Sequence, residues 1–158
     1  MNELSNIVAY LCHTYPHKHE LSKARLTKLV YLADWYSALV DDQQITDIRW
    51  HFNHYGPYVD DVTTSISGNP DFAILNEQTM YGSTKYLIKY VGNLNINVLS
   101  ERTRQILDAV INNTKQLYFN DFIDYVYSTY PVESKERYSD FDLVTLAREY
   151  KHNQPQSQ

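Results

Sequence analysis

A single cysteine, Cys12, stands in 158 residues. No internal disulfide can staple the chain, which points to a reducing, cytoplasmic setting. Basic residues are in deficit: 14 Lys and Arg against 19 Asp and Glu give a net charge of −5. Phosphate backbones are held by clustered Lys and Arg, so no nucleic-acid partner is expected. The densest basic cluster, Lys18, Lys23, Arg25 and Lys28, has Glu20 inside it and few basic neighbours to extend it. No apolar run approaches the roughly 18 residues of a membrane span. The opening MNELSNIVAYLCHTY carries Glu3 and lacks the basic start of a signal peptide, so no membrane partner is expected either. The glycines form no phosphate-cradling loop, and neither G-x-S-x-G nor HExxH occurs, which removes the commonest hydrolase and nucleotide signatures.

What is present is a globular composition. Hydrophobic residues make up 43% and charged residues 21%, enough for one real core and too short a chain for two comfortable ones. Residues 1–151 read as one domain, and the polar HNQPQSQ of 152–158 as a disordered tail. Fifteen tyrosines are the unusual feature. A ring that is apolar over its face and polar at its tip suits a core edge and a contact surface alike.

The chain is organised around Leu26 to Val62. Leu26, Leu29, Val30 and Ala33 repeat at helical spacing, with Leu32, Trp35, Tyr36 and Leu39 as a second stripe. A helix apolar on two adjoining faces needs cover on both, so this is the expected central core helix. Ser22 is its expected N-cap and Asp41-Asp42 its end. Lys23, Arg25 and Lys28 in its opening turns oppose the helix dipole, which hints at contacts elsewhere. Ile48, Trp50 and Phe52 then alternate with Arg49, His51 and Asn53, as in a half-buried strand. Gly56 suits a turn, and Pro57 the first turn of a helix running through Val59, Val62 and Ile66.

Around this segment, Leu4 to Leu11 form a short first helix stopped by Tyr15-Pro16. Phe72–Gln78 and Lys85–Val91 flank a turn as a hairpin, with the Trp50 strand as expected third member of its sheet. Ser100 opens a helix through Leu117. Asn120 opens another that Pro131 ends, and Ser139 with Asp142 suggests a capping box ahead of a last helix. The expected fold is α+β and mostly helical: five to six helices around the central one, with a small antiparallel sheet.

Candidate chemistry is sparse. Cys12, His13, His17 and His19 fall across a helix end and a proline-containing loop, a poor arrangement for converging zinc ligands. His51, His54, Asp60 and Asp61 would be the residues of a small metal-dependent hydrolase. Yet adjacent Asp60 and Asp61 on a helix diverge by about 100°. Lys28 and Asp34 read either as partner contacts or as frame residues, Asp34 bonding the Trp50 strand or the Gly-Pro turn.

Lys28, Leu29, Tyr31, Leu32, Ala33, Asp34 and Trp35, then Trp50, then Tyr55, Gly56, Pro57, Tyr58 and Val59, resemble the Panacea domain, the SocA-like antitoxin family. Tyr138-Ser139 with Asp142-Leu143 resembles that family's closing segment. The resemblance implies a bacterial or phage antitoxin, prophage-borne in some settings, that neutralises a cognate protein toxin by direct contact without enzymatic activity or a cofactor. On that reading the candidate toxin-binding residues are Tyr55 and Tyr58, aromatic anchors beside the Gly-Pro turn, and Lys28 on the central helix. A regulatory or structural protein of a mobile element sharing the domain is the other reading, and self-association is left open.

Overall fold

The computed structural model describes residues 3–54 and 56–153. Seven α-helices and five strands follow one another in these residues. They are α1 (Glu3–Thr14), α2 (Lys23–Asp41), β1 (Trp50–Asn53), β2 (Gly56–Tyr58), α3 (Asp61–Ile66), β3 (Phe72–Gln78), β4 (Thr84–Tyr90), α4 (Glu101–Thr114), α5 (Phe119–Tyr127), α6 (Tyr130–Ser134), β5 (Asp140–Phe141) and α7 (Leu143–Asn153). The fold is a mostly helical α+β domain. Six helices surround the central α2, as expected, and Pro131 opens the short α6 instead of simply ending α5. A proline in a first helical turn sacrifices no hydrogen bond.

Helix α2 is the centre. It packs against α1, α3, α4, α5 and α7 and touches β2 and β4. Leu26, Leu29, Val30, Tyr31 and Leu32 are sealed from solvent, the outcome that its two apolar stripes demand. The Ser22 hydroxyl accepts from the Arg25 N–H at 3.1 Å, and Asp42 turns left-handed at φ 60° to end the helix. Ser100 caps α4 in the same way, accepting from Thr103 N–H at 3.1 Å. Each cap satisfies a donor that the helix start leaves orphaned.

The basic start of α2 also has its explanation. Arg25 is buried, and its guanidinium donates to the Thr114 and Leu117 carbonyls at 3.1 and 2.8 Å and to the Tyr15 hydroxyl at 2.7 Å. A cation unfavourable at one helix's N-terminus thus neutralises the carbonyl end of another, α4. Phe122 stacks against it at 4.3 Å, and Glu20 lies 3.4 Å away.

The sheets depart from expectation in three ways. First, β1 does not join the hairpin: the strands form one sheet of order β2-β1-β5 and a separate pair, β3-β4. Second, Gly56-Pro57 does not open a helix. It is the edge strand β2, with Pro57 opposite Phe52, and α3 starts later, at Asp61. An edge strand tolerates a residue without an N–H as readily as a helix start does. Third, Ser139 is not the cap of α7. It lies beside β1, where its carbonyl accepts from Phe52 N–H at 2.8 Å, and Phe52 O accepts from Tyr138 N–H. Asp142 is the cap, its carboxylate accepting from Thr145 N–H at 3.1 Å. Helix α7 runs on through His152 and Asn153, and the rest of the expected tail, 154–158, lies outside the described residues.

Candidate functional site

Two neighbourhoods compete for the role, and they are built differently. The first surrounds Asp34, on the inner face of α2 and fully buried. One carboxylate oxygen accepts from the Ile45 and Thr46 N–H groups, both at 3.0 Å. The other accepts from Thr46 Oγ1 at 2.5 Å, Trp50 Nε1 at 2.8 Å and Gln44 Nε2 at 3.3 Å. One side chain therefore fastens the loop after α2 and the first residue of β1. Burial pushes the Asp34 carboxyl up to about 6, against the opposing pull of the hydrogen bonds from Thr46, Trp50 and Ile45. Trp50 has no exposed surface, and Tyr31 meets it edge-on at 5.5 Å while its hydroxyl pairs with Thr129 Oγ1 at 2.8 Å.

The Gly-Pro turn belongs to the same frame. Gly56 sits at φ +87°, and a Cβ there would stand 2.5 Å from Cε1 of Tyr127. Only glycine fits, because both the backbone angle and the space exclude a side chain. Trp35 is buried against Tyr150. Lys28 is 3% exposed, and burial pulls its amine down to about 8. Of the candidate contact residues, Lys28 thus offers a partner almost no surface. Tyr58 is 37% exposed, its hydroxyl donating to Asp60 at 2.8 Å, and Tyr55 lies outside the described residues.

The hydrolase candidates are not brought together. His51 Nδ1 pairs with Asp140 at 2.9 Å across β1 and β5, on the surface, whereas Asp60 takes the Tyr58 hydroxyl. Among the described residues no group of three His, Cys, Asp or Glu is placed to hold a metal. Cys12 is buried with its thiol pushed up to about 12 by desolvation. A thiol so far from its thiolate is a poor nucleophile and a poor metal ligand.

The second neighbourhood is a groove of about 760 Å³ between the β3–β4 hairpin tip and the first turns of α2 and α5. Its walls are mostly apolar, and its rim carries large side chains in open solvent: Met80, Tyr81 (89% exposed), Tyr86, Tyr118 (77% exposed) and Phe119. The tip is ordered: Thr79 N–H donates to Ser83 O at 2.8 Å, Gly82 N–H to Thr79 O at 3.0 Å, and the two hydroxyls of Thr79 and Ser83 meet at 2.7 Å. Phe72 and Ile88 anchor the hairpin's base in the core, and Ile88 N–H donates to Leu21 O at 3.0 Å. Farther out, the consecutive residues Ile74 and Leu75 are both about half exposed. Neighbours along a strand point to opposite faces, so the outer hairpin is uncovered on both. Sequence reasoning missed this groove. The available signal was Met80-Tyr81 at a hairpin turn, where no core can reach large apolar side chains.

Among the described residues no helix is long and apolar enough to cross a membrane. No curated protein and no solved structure matches the chain. Residues 26–131 match a family model, from the buried start of α2, through the Asp34 frame and the hairpin, to the opening of α6. That span is two thirds of the sequence and holds the Asp34 frame and the hairpin side of the groove, and by it the chain belongs to the antitoxin SocA-like, Panacea domain family.

Proposed function

We propose that this protein is the antitoxin of a bacterial or phage toxin–antitoxin pair, neutralising its cognate toxin in the cytoplasm by direct protein–protein contact. Membership of the SocA-like family supports the pairing with a toxin. The observation that carries the mode of action is the uncovered apolar surface of the hairpin and its groove. Large exposed aromatic and aliphatic patches mark protein contact sites, and Tyr and Trp are favoured as their anchors. The mechanism is steric: the antitoxin covers the toxin's working surface, and no bond is made or broken.

Titration separates this from catalysis. A protein encoded beside this chain that proves toxic when expressed alone is co-expressed with it at graded ratios. Protection should be stoichiometric and fail once toxin exceeds antitoxin. Full protection at a small fraction of equimolar would mean turnover and would sink the steric reading.

A further inference from the structure

We propose that the groove between the hairpin tip and α2 takes an acidic, apolar segment of the toxin: aromatic or aliphatic side chains flanked by carboxylates. This rests on the antitoxin reading and adds the surface and the chemistry of what it receives.

The apolar half of the argument is the size and lining of the groove. About 760 Å³ lies within the range of roughly 300–1,000 Å³ typical of concave binding sites with apolar walls and a few polar groups. Tyr81 and Tyr118 stand on its rim, held by the ordered turn at Thr79–Ser83 and by the start of α5. A rim that is already ordered loses little entropy on binding.

The acidic half comes from charge. The chain as a whole is negative, and two of its surface arginines are neutralised locally: Arg102 pairs with Asp41 and Arg148 with Asp42, both at 2.8 Å. Lys23 and Lys85 line the groove, and among the described residues neither has a carboxylate within 4 Å. That includes Glu77, the cross-strand neighbour of Lys85. Lys23 instead lies 4.9 Å over the Tyr86 ring, and Lys85 reaches the His19 carbonyl at 3.3 Å. Glu20 also lines the groove but is turned to Arg25 at 3.4 Å. Lys23 and Lys85 thus leave the groove a positive spot, to which the N-terminal turn of α2, free of acidic residues, adds the same sign. Carboxylates on the incoming segment complement it, and a basic segment is repelled.

Two other occupants fit worse. Residues 154–158 carry neither an aromatic nor an acidic side chain. A second copy would bring its own unpaired lysines to the same positive spot.

The test uses the full chain and the toxin encoded beside it, with affinity measured by calorimetry, protection by growth and self-association by sedimentation. Tyr81→Ala with Tyr118→Ala should weaken toxin binding by roughly thirty-fold or more. Lys23→Glu and Lys85→Glu should each weaken it by about five-fold. Neither change threatens the fold, since both rings are mostly in solvent and a carboxylate suits the first turn of α2 better than an ammonium does. Loss with the tyrosine pair alone, the charge reversals being silent, overturns the acidic occupant. Undiminished binding in all these variants overturns the groove while leaving the antitoxin reading intact. A wild-type chain that never protects overturns that reading and the occupant with it. A wild-type dimer that the tyrosine changes dissolve assigns the groove to a second copy and overturns the proposal.

Discussion

Asp34 and Tyr81 mark two opposite ways of using a side chain in one small domain. The Asp34 neighbourhood is closed: five donors converge on one carboxylate, Trp50 is sealed beneath it, and Gly56 leaves no room above Tyr127. The hairpin tip is open, its largest side chains in water and its outer strands bare on both faces. The residues by which the family is recognised lie mostly in the closed region. They hold the frame, whereas the hairpin, inside the same matched span, carries none of the motif residues of the resemblance. This is the arrangement expected when one fold serves several partners: the frame stays put and the presented surface carries the choice.

Substitutions can break this contrast or sharpen it. The largest effect belongs to Asp34→Ala, which leaves the buried Trp50 and Thr46 donors without an acceptor. A loss of about 3–5 kcal/mol is expected in chemical denaturation. A variant as stable as the parent would mean the closed region is not a frame.

Lys28→Met should act in the other direction. With its folded pKa depressed from 10.5 to about 8 by burial, the ammonium opposes folding at neutral pH. A shift of this size corresponds to about 3 kcal/mol. Lys28 contributes its full share of stability only above about 10.5 and loses it as pH falls through 8. The gain of the Met variant should therefore be full below pH 8 and vanish above 10.5, and its toxin protection should be unchanged. A gain that is flat with pH would mean packing, not charge, is what the substitution altered.

Gly56→Val should cost about 1–3 kcal/mol through its backbone angle alone, and more through the collision with Tyr127. Pairing it with Tyr127→Ala relieves the collision and leaves the angle, so the double variant should recover part of the loss. Identical melting curves for Gly56→Val and wild type would make the turn ordinary.

Tyr81→Ala should be the mildest of all for the fold, within about 0.5 kcal/mol of wild type. A large drop in melting temperature would show that the open region is not open.

Local features were readable from the sequence. Ser22 and Ser100 were legible as caps because a cap involves residues three apart, and the buried stripes of α2 because a helix repeats its faces. Through the rule that a buried carboxylate must be bonded, Asp34 was legible as a partner of the Trp50 strand or the Gly-Pro turn, and Trp50 is the one it takes. The pairing of β1 with β5 was not, since residues 50 and 141 carry no mutual signal along the chain. Pro57 misled because a missing N–H fits a helix start and a sheet edge equally. Arg25 announced itself as a charge at the wrong helix end, but its true targets, the carbonyls of Thr114 and Leu117, are reached only in three dimensions. The groove was hidden because tyrosine reads the same whether it faces a core or a partner.

The pairing of His51 with Asp140, 89 residues apart, carries a consequence in time. A ribosome adding about 5–20 residues per second delivers β5 roughly 4 to 18 seconds after β1 has been made. For that interval β1 has only β2 beside it, and the aromatic face of Trp50 and Phe52 awaits the ring of Phe141 that will lie on it. A chain stopped before residue 140 lacks β5 and should therefore be degraded faster than the full-length chain.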